Sequence, residues 1–119
     1  MYATREDILN IADTQFEEVS VPEWGGMTVR LRSLVGVERD ELEASMVEGK
    51  GRDVSVNLSN LRAKMVARSA VDESGKRIFT DADIALLGQK NAAALDRIFA
   101  VARRLSGMNE QDVQELTKN

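Results

Sequence analysis

Apolar residues recur with two different periods along these 119 residues, and the change of period divides the chain. Val19 and Val21 alternate with polar neighbours, and Val29 and Leu31 do the same beyond Trp24-Gly25-Gly26. That period of two is the pattern of a half-buried β-hairpin. The register follows from keeping the four residues on one face. A two-residue Gly25-Gly26 turn sets Val21 opposite Arg30 and divides the set. A three-residue Trp24-Gly25-Gly26 loop sets Val21 opposite Val29 and Val19 opposite Leu31. Because a one-residue slip turns every side chain to the other face, the spacing predicts the three-residue loop, with a glycine in the left-handed position. The strands then span 17–23 and 27–33. Pro22 has no amide to donate, which marks its strand as an edge.

Outside the hairpin the period is helical. Thr4 caps a short predicted helix to Ala12, with Asp7 at its third position and Ile8, Leu9 and Ile11 apolar. Gly36 separates the hairpin from a helix over 37–47 whose apolar stripe is thin: Leu42, Met46 and Val47. Residues 48–53, with two glycines and four charges, read as a mobile connector. Asn57 caps a helix running to Ala70 on Leu58, Leu61, Met65 and Val66. A turn at 72–76 leads to the apolar pair Ile78-Phe79. Thr80 and Asp83 form a capping box opening a helix that Gly88 stops. Asn91 begins the strongest helix, to about Leu105, with Leu95, Ile98, Phe99, Ala102 and Leu105 in one stripe. Ser106-Gly107 ends it, and Asn109 or Asp112 caps a last short helix.

These elements predict an α+β fold: a mainly helical single domain over 1–119, with an N-terminal β-hairpin packed against several short helices. Its parts are an N-terminal segment (1–16), the hairpin (17–33) and a helical part (37–119) with a loop at 48–56. The expected core places Leu95, Ile98, Phe99 and Ala102 against Leu61, Met65, Ile78, Phe79 and Leu87. Val19, Val21, Val29 and Leu31 cover one side of it.

Composition narrows the chemistry. The chain has no cysteine and no histidine, which removes disulfides, thiolate and histidine-activated nucleophiles, and nearly all zinc sites. Residues 1–60 hold six basic against twelve acidic side chains and residues 61–119 ten against eight, within a formal net charge of −4. An acidic front half disfavours nucleic-acid binding; Arg62, Lys64 and Arg68 on one helix read as a solvated face. No apolar run reaches the ~20 residues of a membrane span, and the N-terminus lacks the layout of a signal peptide. The acidic groups Glu17-Glu18, Asp81/Asp83 and Glu38 to Glu43 are the only raw material for acid–base or metal chemistry, and none has a supporting motif. Most open predicted helices, where the helix dipole alone favours them. No catalytic, cofactor-binding or metal-ligating residue is assigned.

What remains is surface. A loop-tip tryptophan, Trp24, can anchor a partner, although a lone tryptophan more often folds onto its own hairpin. The thin Leu42/Met46/Val47 stripe gains little from docking on its own domain. Trp24, Leu42, Met46 and Val47 are therefore the candidate partner-binding residues.

A series of short motifs follows in order: Thr4-Arg5-Glu6-Asp7-Ile8-Leu9, Val21-Pro22-Glu23-Trp24-Gly25-Gly26, Val29-Arg30, Glu38-Arg39-Asp40 and Asp72-Glu73-x-Gly75. Then come Phe79-Thr80-Asp81-x-Asp83, Leu87-Gly88-x-Lys90 and Ala93-Ala94-Leu95-Asp96-Arg97-Ile98-Phe99. The series resembles tail assembly chaperones of long-tailed, siphovirus-like bacteriophages and prophages, over residues 4–107. The resemblance implies a non-enzymatic protein without cofactors. It implies binding to the tape measure protein, which is kept soluble, and recruitment of tail-tube subunits. It further implies self-association, action in the cytoplasm of the bacterial host, and absence from the mature virion. The alternative is a structural tail-completion or connector protein of the virion.

Overall fold

The computed structural model describes residues 1–49, 51–56 and 60–108. Thr4 caps α1 (Arg5–Asn10): its hydroxyl accepts from the Asp7 amide, and the Asp7 carboxylate accepts from the Thr4 amide. This is the capping box expected from the sequence. The hairpin follows as β1 (Phe16–Val21) and β2 (Met27–Arg32).

Its register is shifted from the expected one. Val19 faces Val29 and Val21 faces Met27, because Pro22–Trp24 forms a 3-10 turn and lengthens the loop to Pro22–Gly26. The fixed φ of proline suits the first position of such a turn. Gly25 and Gly26 then carry the chain back with φ of 68° and 77°, angles that disfavour a side chain. The slip is by two residues, so side-chain faces are preserved. Val19, Val21 and Leu31 are buried and Val29 is half-buried, as expected.

A third strand that the hydrophobic pattern did not disclose, β5 (Ala70–Val71), pairs antiparallel with β2 and leaves β1 at the sheet edge. Between β2 and β5 lie α2 (Gly36–Ala44), a ribbon of β3 (Val47–Glu48) and β4 (Ser55–Val56), and α3 (Leu61–Ser69). The helix expected over 37–47 therefore ends earlier, and the connector holds a two-stranded ribbon. Asn60 precedes α3 in left-handed backbone, φ 61°. The expected cap Asn57 and Leu58 lie outside the described residues, as does the helix expected after Met108. A 3-10 turn at Asp81–Asp83 leads into α4 (Ile84–Leu87), and Asn91 caps α5 (Ala92–Leu105) by accepting from the Ala94 amide. Gly88 has a steric reason: a Cβ there would lie 2.6 Å from the Asn60 Oδ1.

The core forms where α5 crosses the inner face of the sheet and packs on α3. Ile98, Ala94 and Ala102 meet Met65, Val66 and Ala67 there, with Leu31 and Val21 from the hairpin. Two ion pairs fasten this arrangement at the surface, Arg97 with Glu23 of the turn and Arg104 with Glu17 of β1. Ile78, expected in the core, is half exposed. In an extended chain successive side chains point opposite ways, and Phe79 takes the inward position. Arg68, expected on a solvated face, is buried.

Ser69 leaves a local cost in the core. Its side-chain oxygen is buried and has no hydrogen-bond partner. Since an unsatisfied buried polar group is destabilising, Ser69→Ala is expected to raise unfolding free energy by about 1 kcal/mol, read as a higher urea midpoint with an unchanged slope.

Candidate docking surface

Of the candidate acids, Glu17, Glu38, Glu43, Asp81 and Asp83 are already engaged. Arg32 donates from both terminal nitrogens to the two oxygens of Glu38, at 2.7 and 2.6 Å. Glu38 also accepts from the Val35 amide at 3.0 Å, so one carboxylate closes the start of α2 and ties it to β2. The guanidinium of Arg32, with the Val35 amide, holds the Glu38 carboxyl below the ordinary glutamate value, against the opposing effect of partial burial. Arg39 pairs with Glu43, Arg77 with Asp81, and Asp83 accepts from the Thr80 amide. Among the described residues, no group of three or more acidic side chains is placed to hold a metal ion. In the same residues no helix is long and apolar enough to cross a membrane.

The four candidate contact residues are placed differently from one another. Leu42 and Met46 are fully buried in the chain's own core. The stripe is thin, yet two of its three residues turn inward. Trp24 is half-buried and packs against the core from the hairpin turn. Val47 is 47 % exposed, at the base of the β3–β4 ribbon. Trp24 and Val47 are thus within direct reach of a partner, and Leu42 and Met46 are brought to neither.

The larger apolar surface lies where the pattern of the stripes did not point. Ile8, Leu9 and Ile11 are between 61 and 65 % exposed, and no residue of α1 is buried. Val35, Val37, Ile78 and Leu86 are exposed on the body. The sequence carried a signal for α1, a capping box in front of three apolar residues, but none for the missing cover. The electrostatics add no reactive group. Every carboxyl with a resolved shift (Asp7, Glu23, Glu38 and Asp72) is held below its ordinary value by hydrogen bonds. Such groups stay charged at neutral pH and do not serve as proton donors there.

Comparison with known proteins agrees with this reading. The family model described as phage tail assembly chaperone matches residues 4–119. The fold is similar to a solved structure of the bacteriophage HK97 tail assembly chaperone. The TM-score is 0.58 at 20 % identity, over 77 % of this chain and 85 % of that one. No curated protein matches. The family match extends from the cap of α1 to the last residue, and on that ground the chain belongs to the phage tail assembly chaperones.

Proposed function

We propose that this chain binds the tape measure protein of its phage, keeps that protein's apolar helical surface soluble, and helps bring tail-tube subunits to it. Family membership over residues 4–119 carries the reading. The capped but uncovered α1 supports it, since large apolar side chains left outside the core are what a holding protein offers. Val47 and Trp24 add contact from the ribbon and the hairpin turn, and Leu42 and Met46 join only where α2 lifts from the core. The protein works by association alone, self-associates, acts in the host cytoplasm, and leaves before the particle is complete.

Affinity capture of the tagged chain from phage-producing cells tests this. Mass spectrometry of the captured material is expected to find the tape measure protein, and of purified particles to lack this chain. Stoichiometric presence in finished particles would contradict the reading and favour a structural tail component.

A further inference from the structure

We infer that the open edge of β1 takes up an extended, basic segment of another protein as a further strand of the sheet. Such an added strand is distinct from the holding of helical apolar surface and does not depend on the tape measure protein.

Register decides which groups the edge presents. Along an antiparallel pair, positions that exchange hydrogen bonds alternate with positions that do not. The Ser33 amide donates to the Gln15 carbonyl at 2.8 Å, and these two stand next in register after Phe16 and Arg32. The positions of β1 that bond to β2 are therefore Glu17, Val19 and Val21. The other side of β2 agrees. The Ala70 carbonyl accepts from Ile78, away from β2, so Arg30 bonds to Val71 of β5 and Leu31 is left for β1. Phe16, Glu18 and Ser20 turn their amides and carbonyls outward, and none of these groups is hydrogen-bonded among the described residues. All three residues are exposed. The row is about 14 Å long, and an unpaired row of this kind is a template for main-chain pairing.

Charge selects the occupant. Glu17 is paired with Arg104 and Glu23 with Arg97. Arg32, opposite Phe16, is paired with Glu38. Arg30 stands opposite Glu18, but its guanidinium lies 4.1 Å over the Phe16 ring and donates to the Asp72 and Glu73 carbonyls at 3.3 and 3.1 Å. Among the described residues, Glu18 makes no ion pair, and neither does Asp13 at the approach to the strand. A strand added beside β1 lies about 4.8 Å from it and about twice that from β2, so the Glu18 carboxylate is the first charge it meets. A second copy pairing through its own β1 brings the same Glu17 and Glu18, and like charges facing each other across strands are destabilising. The edge therefore fits a foreign segment with Lys or Arg beside Glu18, its aliphatic stem lying along Phe16.

Amide hydrogen exchange followed by NMR tests this on the full chain, alone and with a short end-capped peptide alternating threonine and lysine. Alone, the amides of Glu17, Val19 and Val21 are expected to exchange slowly and those of Phe16, Glu18 and Ser20 fast. Saturating peptide is expected to slow the fast set by about tenfold or more. The same peptide with glutamate in place of lysine is expected to leave it fast. Two variants separate backbone from charge. Ser20→Pro removes one outward amide and no bond to β2, a substitution that sheet edges tolerate. Glu18→Lys reverses the charge. With wild-type circular dichroism, each is expected to weaken binding of the lysine peptide by about tenfold or more. Slow Phe16, Glu18 and Ser20 amides in the free chain, exchange unchanged by the lysine peptide, or undiminished affinity in either variant would overturn the inference. The wild-type exchange pattern decides even where a variant does not fold.

Discussion

Leu42→Ala is expected to lower the unfolding free energy by about 2–5 kcal/mol. Domains of this kind have only about 5–15 kcal/mol in total, so the variant should approach or reach unfolding at 37 °C. The reason is placement. Leu42 is fully buried, with Met46 one turn on, and the two are the apolar attachment of α2 to the body. Truncation leaves a cavity under a helix whose remaining surface is mostly charged, and the surrounding side chains relax into it only in part. Val47→Ala, at a site 47 % exposed, is expected to change stability by less than about 1 kcal/mol. Urea unfolding of the pair separates two roles for this stripe. A large loss at Leu42 with little at Val47 fits a core residue beside a surface one. A near-neutral Leu42→Ala would mean that α2 is undocked in solution.

Breaking the Arg32–Glu38 pair comes next in size. Glu38→Ala removes two charge-assisted hydrogen bonds from Arg32 and the acceptor for the Val35 amide. The side chains are only 14 and 19 % exposed, so the guanidinium left behind is poorly hydrated. A loss of about 2 kcal/mol is expected. The same pair sets a pH dependence. The folded pKa of Glu38 lies below its ordinary value, so the folded state favours the ionised carboxylate. The stabilisation is complete above the ordinary glutamate range near about 4.3. It declines as pH falls below that range and is gone once pH has passed below the depressed folded value. Asp7, Glu23 and Asp72 are shifted in the same direction and add to the loss on the acid side. With no histidine in the chain, no comparable change is expected between pH 6 and 8. Thermal midpoints across pH 2–8 check this. Glu38→Ala should flatten the acid limb, and an acid limb identical to wild type would contradict the assignment.

The elements legible in the sequence were those whose local signals agree. Asn91 as cap, a broad stripe from Leu95 to Ala102 and Ser106-Gly107 as stop all point to one helix, and α5 is that helix. Thr4 with Asp7 and Thr80 with Asp83 marked two further starts correctly. In the hairpin, alternation fixed which face each residue takes, while the pairing itself depended on Pro22–Trp24 winding into a 3-10 turn. Short elements without alternation stayed hidden. Ala70-Val71 continues the helical run of α3 in composition, and only its pairing with β2 makes it a strand. The β3–β4 ribbon is two residues on each side within a glycine-rich, charged stretch. The candidate contact residues show the same limit. A thin stripe on α2 looked like spare surface, but the body supplies enough partners to bury Leu42 and Met46 completely. The uncovered α1 was beyond sequence reasoning because a missing tertiary contact leaves no local mark.

On the proposed function, this protein keeps a sticky companion in solution by lending it apolar surface. Co-expression of the tape measure protein of the same phage, with and without this chain, tests it most directly through the fraction recovered in the soluble lysate. A severalfold higher soluble fraction with the chain present is the predicted result. Equal solubility with and without it would overturn the proposed function.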